Sequence, residues 1–146
     1  MKKHVVYVYG SLRPGNGDKY YIPGKMYGFG GFPAVSLDVE HEAETPTVVC
    51  ERLEVTDKQL ERLDNYEGYD VESPRTSLYI RVRCREGWIY EYNGTLSETQ
   101  RVPSGDWLAE KKQSRGHAFD HFLDDTALEV TPMEGVGGLY SPALGD

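Results

Sequence analysis

At 146 residues and a formal charge of −8 at pH 7, the chain is long enough for one domain with its own core. Its acidity excludes a broad nucleic-acid-binding face, which needs a basic surface. The hydrophobic share of 38% is modest, but 11 tyrosines add amphipathic bulk to it.

The first informative stretch is Val5–Gly15, Val-Val-Tyr-Val-Tyr-Gly-Ser-Leu-Arg-Pro-Gly. Val5 to Tyr9 reads as a strand, with Val6 and Val8 on one face and Val5, Tyr7 and Tyr9 on the other. Gly10 and Ser11 break it, and Pro14 and Gly15 forbid its continuation. A strand that runs into such a turn presents main-chain N–H groups at its carboxyl end. Those donors suit a carboxylate or a developing oxyanion, so the turn is the expected anchor of a small-molecule site. The Gly10 to Gly15 spacing lacks the following Lys-Ser/Thr of a nucleotide P-loop, which argues against phosphate binding.

Asn16 to Gly24 reads as a loop. Lys25 to Phe32, with Gly24, Gly28, Gly30 and Gly31, reads as a glycine-bent strand, and Pro33-Ala34-Val35 continues along an edge. Asp38 to Thr45 is an acidic loop and Val48 to Val55 a strand. Thr56 with Gln59 forms a capping box, which predicts a short helix over Asp57–Asn65 that stops by Gly68. Tyr69 to Thr76 reads as a loop. Leu78 to Cys84 alternates cleanly, Leu78, Ile80, Val82 and Cys84 against Tyr79, Arg81 and Arg83. With a turn at Glu86-Gly87 and a second run over Trp88–Tyr92, it predicts a hairpin. Ser104 to Leu108 leads into a short helix, His117 to Leu123 into a helical turn, and Thr131–Asp146 into a loose tail.

The expected class is α+β: a small, curled, mostly antiparallel β-barrel with flanking short helices. The expected organisation is a domain over residues 1–112 and a C-terminal extension over 113–146. Cys50 and Cys84 are read as buried free thiols of a reducing compartment. The amino-terminal Met-Lys-Lys-His is too short for a signal peptide and no run reaches the length of a membrane span, so the expectation is a cytoplasmic protein with no membrane segment. His117 and His121 share the i, i+4 spacing of metal-binding imidazoles, but no third ligand is evident and a solvated helix face is preferred.

The second informative stretch is Leu63-Asp64-Asn65-Tyr66-Glu67-Gly68-Tyr69. Pattern alone leaves two readings of Glu67. It is an ordinary solvated glutamate near a helix end, or a carboxyl partly desolvated among rings and suited to shuttling a proton.

Taken in order, Tyr9-Gly10-Ser11-Leu12-Arg13-Pro14-Gly15, Leu63 to Tyr69 and Ser77-Leu78-Tyr79-Ile80-Arg81 resemble the γ-glutamylcyclotransferase family of the AIG2-like type. Phe32 to Val35, Trp88 to Tyr90 and Gly105 to Trp107 fall where that family has similar residues, and the resemblance covers about residues 4–110. It implies release of an amine or amino acid from a γ-glutamyl compound by closure to 5-oxoproline. It also implies Glu67 as general base and then acid, the main chain of Gly10, Ser11 and Leu12 as carboxylate or oxyanion donor, and Tyr9 and Tyr79 in the pocket wall. No metal and no cofactor are implied. The implied partner is a small-molecule γ-glutamyl substrate, with neither nucleic acid nor membrane; the oligomeric state, a homodimer included, is left open. Cys50 stands where the family commonly has glycine, and the stretch after Lys112 has no counterpart in it. The alternative function is a non-catalytic binding module for a small acidic metabolite or a protein partner.

Overall fold

The computed structural model describes residues 2–39, 45–116 and 118. Among the described residues eight strands run in the order β1 (Lys3–Val8), β2 (Tyr20–Pro23), β3 (Lys25–Phe29), β4 (Phe32–Ser36), β5 (Thr47–Thr56), β6 (Tyr79–Cys84), β7 (Gly87–Tyr92) and β8 (Arg101–Val102). Helix α1 (Asp57–Glu67) follows β5, and the five-residue α2 (Trp107–Lys111) follows β8. One sheet has the order β2-β5-β1-β7-β6 and the other β4-β3-β8. The α+β class holds, but the hydrogen-bonded pairings of the described residues form two sheets and do not join into a closed barrel.

The long β5 pairs antiparallel with β1 from Lys3↔Thr56 to Val8↔Glu51, and β1 lies parallel to β7 at Val6↔Trp88. Alternation along β1 divides the core. Val6 and Val8 pack with Leu53, Val55 and the α1 residues Leu60 and Leu63, whereas Tyr7 and Tyr9 pack with Met26, Val35, Val102 and Trp107. Helix α1 therefore covers one face of the larger sheet and the smaller sheet covers the other.

Several boundaries differ from the sequence reading. Tyr20–Pro23, expected within a loop, adds to β5 as an edge strand, with its proline at the strand end. The bent strand expected over Lys25–Phe32 is instead a hairpin, because Gly30 takes φ +56° and turns the chain so that Phe29 pairs with Phe32. The second hairpin turns at Arg85-Glu86, one residue early, and Gly87 belongs to β7. A Cβ on Gly87 would lie 2.2 Å from the Val5 carbonyl oxygen, so the glycine serves the close passage of β7 beside β1. Short 3-10 turns at Pro74–Thr76 and Glu98–Gln100 and the two-residue β8 also escaped the sequence reading. In β6 the buried side chain is Tyr79, while Ile80, Val82 and Cys84 are half-buried. Both cysteines are free, but only Cys50 is buried; burial pushes its thiol up to about 12. His117, His121 and the expected tail lie outside the described residues, and no described helix is long and apolar enough to cross a membrane.

The capping box is present in full. Thr56 Oγ1 accepts from the Gln59 amide at 3.1 Å, and Gln59 Oε1 accepts from the Thr56 amide at 2.9 Å. At the other end Gly68 adopts φ +72° and donates to Asn65, and the Tyr69 amide donates to the Asp64 carbonyl at 2.8 Å. The helix thus runs two residues beyond Asn65, and Glu67 is its last residue.

The turn after β1 is held from below by a buried ion pair. Glu51 occupies the rung opposite Val8, where β1 ends. Its carboxylate accepts from Arg13 Nε at 2.7 Å and from the amides of Gly15 (3.0 and 3.1 Å) and Gly17 (3.0 Å). The Arg13 and Glu51 side chains are only 3% and 1% exposed. Arg13 Nη1 also donates to Asp106 at 2.9 Å, and Asp106 caps α2 by accepting from Ala109. From above, the Gly116 amide donates to the Arg13 carbonyl and the Ala118 amide to that of Ser11.

Removing one partner of a buried pair strands the other. Glu51→Gln is therefore expected to lower the unfolding free energy by about 3–5 kcal/mol in urea denaturation; no loss would contradict the pairing. Burial raises the Asp106 carboxyl, but the Ala109 amide and Arg13 outweigh it and hold it below its ordinary value. A depressed folded value means that this contribution is complete above the unfolded range, about 3.9, and is lost as pH falls through the folded value. Asp106→Asn should reduce stability at neutral pH and flatten its acid dependence, read as thermal midpoint against pH from 2 to 7.

Candidate active site

An open cleft, with a cavity volume of about 30 Å³, lies at the carboxyl end of β1. Residues 7–12 form one wall, and Pro33, Glu67, Tyr79 and Tyr90 complete it. The six residues singled out from the sequence (Tyr9, Gly10, Ser11, Leu12, Glu67 and Tyr79) all line this one cleft. They arrive from three directions: the strand-to-turn junction, the last residue of α1 and the first residue of β6.

The carbonyls of the turn are engaged. Gly10 accepts from the Arg13 amide at 3.0 Å, Ser11 from Ala118 at 2.9 Å and Arg13 from Gly116 at 2.7 Å. None of these bonds uses the amides of Gly10, Ser11 or Leu12. Gly10 is required where it stands, because a Cβ there would meet Pro33 Cγ at 2.8 Å across the cleft wall. The buried Ser11 shares a 3.0 Å hydrogen bond with the Tyr66 hydroxyl, which ties the turn to the last turn of α1.

Three tyrosines set the polarity of the wall. Tyr9 donates to the Tyr90 carbonyl at 2.6 Å, Tyr79 to the Pro33 carbonyl at 2.6 Å and Tyr90 to Asp64 Oδ1 at 2.6 Å. Burial, reinforced by Tyr79 and the Glu67 charge, lifts the Tyr9 hydroxyl well above its ordinary value. Burial, Asp64 and Glu67 do the same for Tyr90. Both phenols stay neutral at any working pH and act as fixed dipoles. Glu67 is half-buried and acts on both phenols as a nearby negative charge. The described lining holds no lysine, arginine or histidine. An anion that enters meets no cationic side chain among the described lining residues, and the one carboxylate there is Glu67.

Sequence reasoning missed Glu51, Asp64 and Tyr90. A signal was present for the first two. Glu51 shares a strand face with Val49, Leu53 and Val55, and Asp64 is buried on α1 with Leu60 and Leu63. A carboxylate on an apolar face implies a paired cation, here Arg13 and Arg81. Tyr90 carried no sign of its place in the cleft beyond its strand alternation.

Residues 6–109 match the family model described as Gamma-glutamyl cyclotransferase, AIG2-like. No curated protein sequence matches the chain. Among solved structures it is similar to the uncharacterized protein PH0828 from Pyrococcus horikoshii, at 19% identity and a TM-score of 0.52, over 75% of this chain and 93% of that one. It is also similar to YkqA from Bacillus subtilis, at 20% identity and a TM-score of 0.48, over 77% of this chain and 44% of that one. At such identities structural likeness speaks only to the fold, whereas the family match covers most of the chain and takes in both motif stretches of the cleft. The chain belongs to the gamma-glutamyl cyclotransferase family, AIG2-like.

Proposed function

We propose that this protein releases an amine, amino acid or peptide from a γ-glutamyl compound by intramolecular cyclisation to 5-oxoproline, with Glu67 as the proton shuttle. One observation carries the reading: Glu67, the single carboxylate in the described lining of the cleft, shares it with the main chain of Gly10, Ser11 and Leu12 and with no cationic side chain.

In the proposed mechanism the substrate's α-amine enters in its neutral form. Its nitrogen bonds to the γ-carbonyl carbon and closes a five-membered ring, giving one proton to Glu67 as that bond forms. Because attacking and attacked atoms belong to one molecule, correct folding of the substrate supplies much of the rate. The former carbonyl oxygen becomes an oxyanion, for which the amides of Gly10, Ser11 and Leu12 are the available donors. The bond to the departing nitrogen breaks as Glu67 returns its proton to that nitrogen, so protons balance over the cycle. Tyr9 and Tyr79 shape the wall around the glutamyl part.

Glu67→Gln keeps size and hydrogen-bonding capacity but removes the base. Chromatographic assay of 5-oxoproline should show a rate about 10²–10⁴-fold lower, with the thermal midpoint little changed. An unchanged rate would contradict the assignment. Stabilisation of wild type by γ-glutamyl compounds without any 5-oxoproline formed would mark a binding module instead.

A further inference from the structure

Glu67 is the terminal residue of α1, and a helix end frays unless it is fastened. The main-chain cap at Gly68 fastens the backbone. A side-chain clamp lies one turn earlier, at Asp64, which is 7% exposed and does not line the cleft. Its Oδ1 accepts from Arg81 Nε at 2.8 Å and from the Tyr90 hydroxyl at 2.6 Å, and its Oδ2 accepts from Arg81 Nη2 at 3.2 Å. Arg81 belongs to β6 and Tyr90 to β7, so one carboxylate joins α1 to both strands of the hairpin. Each partner is held in turn. The Arg81 guanidinium lies 4.3 Å from the centre of the Trp88 ring and 5.6 Å from that of Tyr69. The Tyr90 carbonyl accepts the Tyr9 hydroxyl at 2.6 Å, which carries the chain of bonds to the strand-to-turn junction.

We infer that Asp64 is a positioning residue: through Arg81 and Tyr90 it locks the last turn of α1 to the β6–β7 hairpin and so holds Glu67 at the cleft, facing the wall that Tyr9 and Tyr90 form. This inference rests on the cyclisation reading above. Glu67 has to meet the α-amine first and the departing nitrogen later, and small displacements of a shuttle are costly. The segment after the turn is held separately, by Glu51 accepting from Arg13 and from the Gly15 amide, and the Ser11–Tyr66 and Tyr9–Tyr90 bonds link the turn to the clamped elements. Loss of the clamp should therefore slow turnover more than it weakens ground-state binding.

The test compares Asp64→Asn with Leu60→Ala, a buried site on the same helix outside the cleft and the clamp. Both variants lose stability. Each is assayed with a γ-glutamyl amino acid series at a temperature where circular dichroism shows it folded. Asp64→Asn should lower kcat about 10- to 100-fold with KM little changed, whereas Leu60→Ala should keep kcat near the wild-type value. If Asp64→Asn does not fold, Arg81→Lys, which keeps the charge but loses the two-pronged contact, should show the same split in kcat. Equal kcat losses in the clamp and control variants, or a clamp variant with wild-type kcat, would overturn the inference while leaving the reaction standing. Absence of 5-oxoproline from wild type and every variant would overturn the reaction, and the inference with it.

Discussion

A carboxylate and a guanidinium, 1% and 3% exposed, face each other where the first strand ends. Neither charge is tolerable in that place alone, so everything that brings them together is constrained. Glu51 must sit opposite Val8, which sets the register of β5 against β1. The chain must double back after Leu12 so that Arg13 and the amides of Gly15 and Gly17 converge on one carboxylate. Asp106, the second acceptor for Arg13, draws the start of α2 to the same point. The turn that walls the cleft is thus held by charge compensation beneath it.

That arrangement explains an otherwise odd feature of the cleft. A site proposed for an anionic glutamyl group has no cationic side chain among its described lining residues. The nearby arginine is already committed to Glu51, and main-chain donors are left to meet the anion. Tyrosines whose hydroxyls are spent on Tyr90, Pro33 and Asp64 line the rest of the wall without adding charge. The net effect is a wall whose one described carboxylate is Glu67. Such a wall suits a reaction in which one proton is taken from one nitrogen and given to another.

How much of this was legible depended on whether the information was local. The capping box at Thr56 and Gln59, the αL stop at Gly68 and the break before Gly10 are each decided within a few residues; the structure has the first two where the pattern put them and ends the first strand at Val8, one residue early. The Gly30-Gly31 turn and the Gly87 passage were harder, because glycine marks a tight approach without saying to what. Only the fold reveals that Gly87 faces Val5, 82 positions back by residue number. The shared placement of Tyr9, Gly10, Ser11, Leu12, Glu67 and Tyr79 was expected from motif order, since nothing in the local pattern of Glu67 separates it from a solvated glutamate. Glu51 and Asp64 are acids on apolar faces that the sequence reading passed over, and their cations lie 38 and 17 residues away. Pairing over such distances is a property of the tertiary structure.

The account is tested most directly by the origin of the product's oxygen. Wild-type protein given a γ-glutamyl amino acid in oxygen-18 water should yield 5-oxoproline free of the label, because the attacking atom is the substrate's own nitrogen. Glutamate carrying oxygen-18 would show that water attacks instead, and would contradict a cleft built for cyclisation.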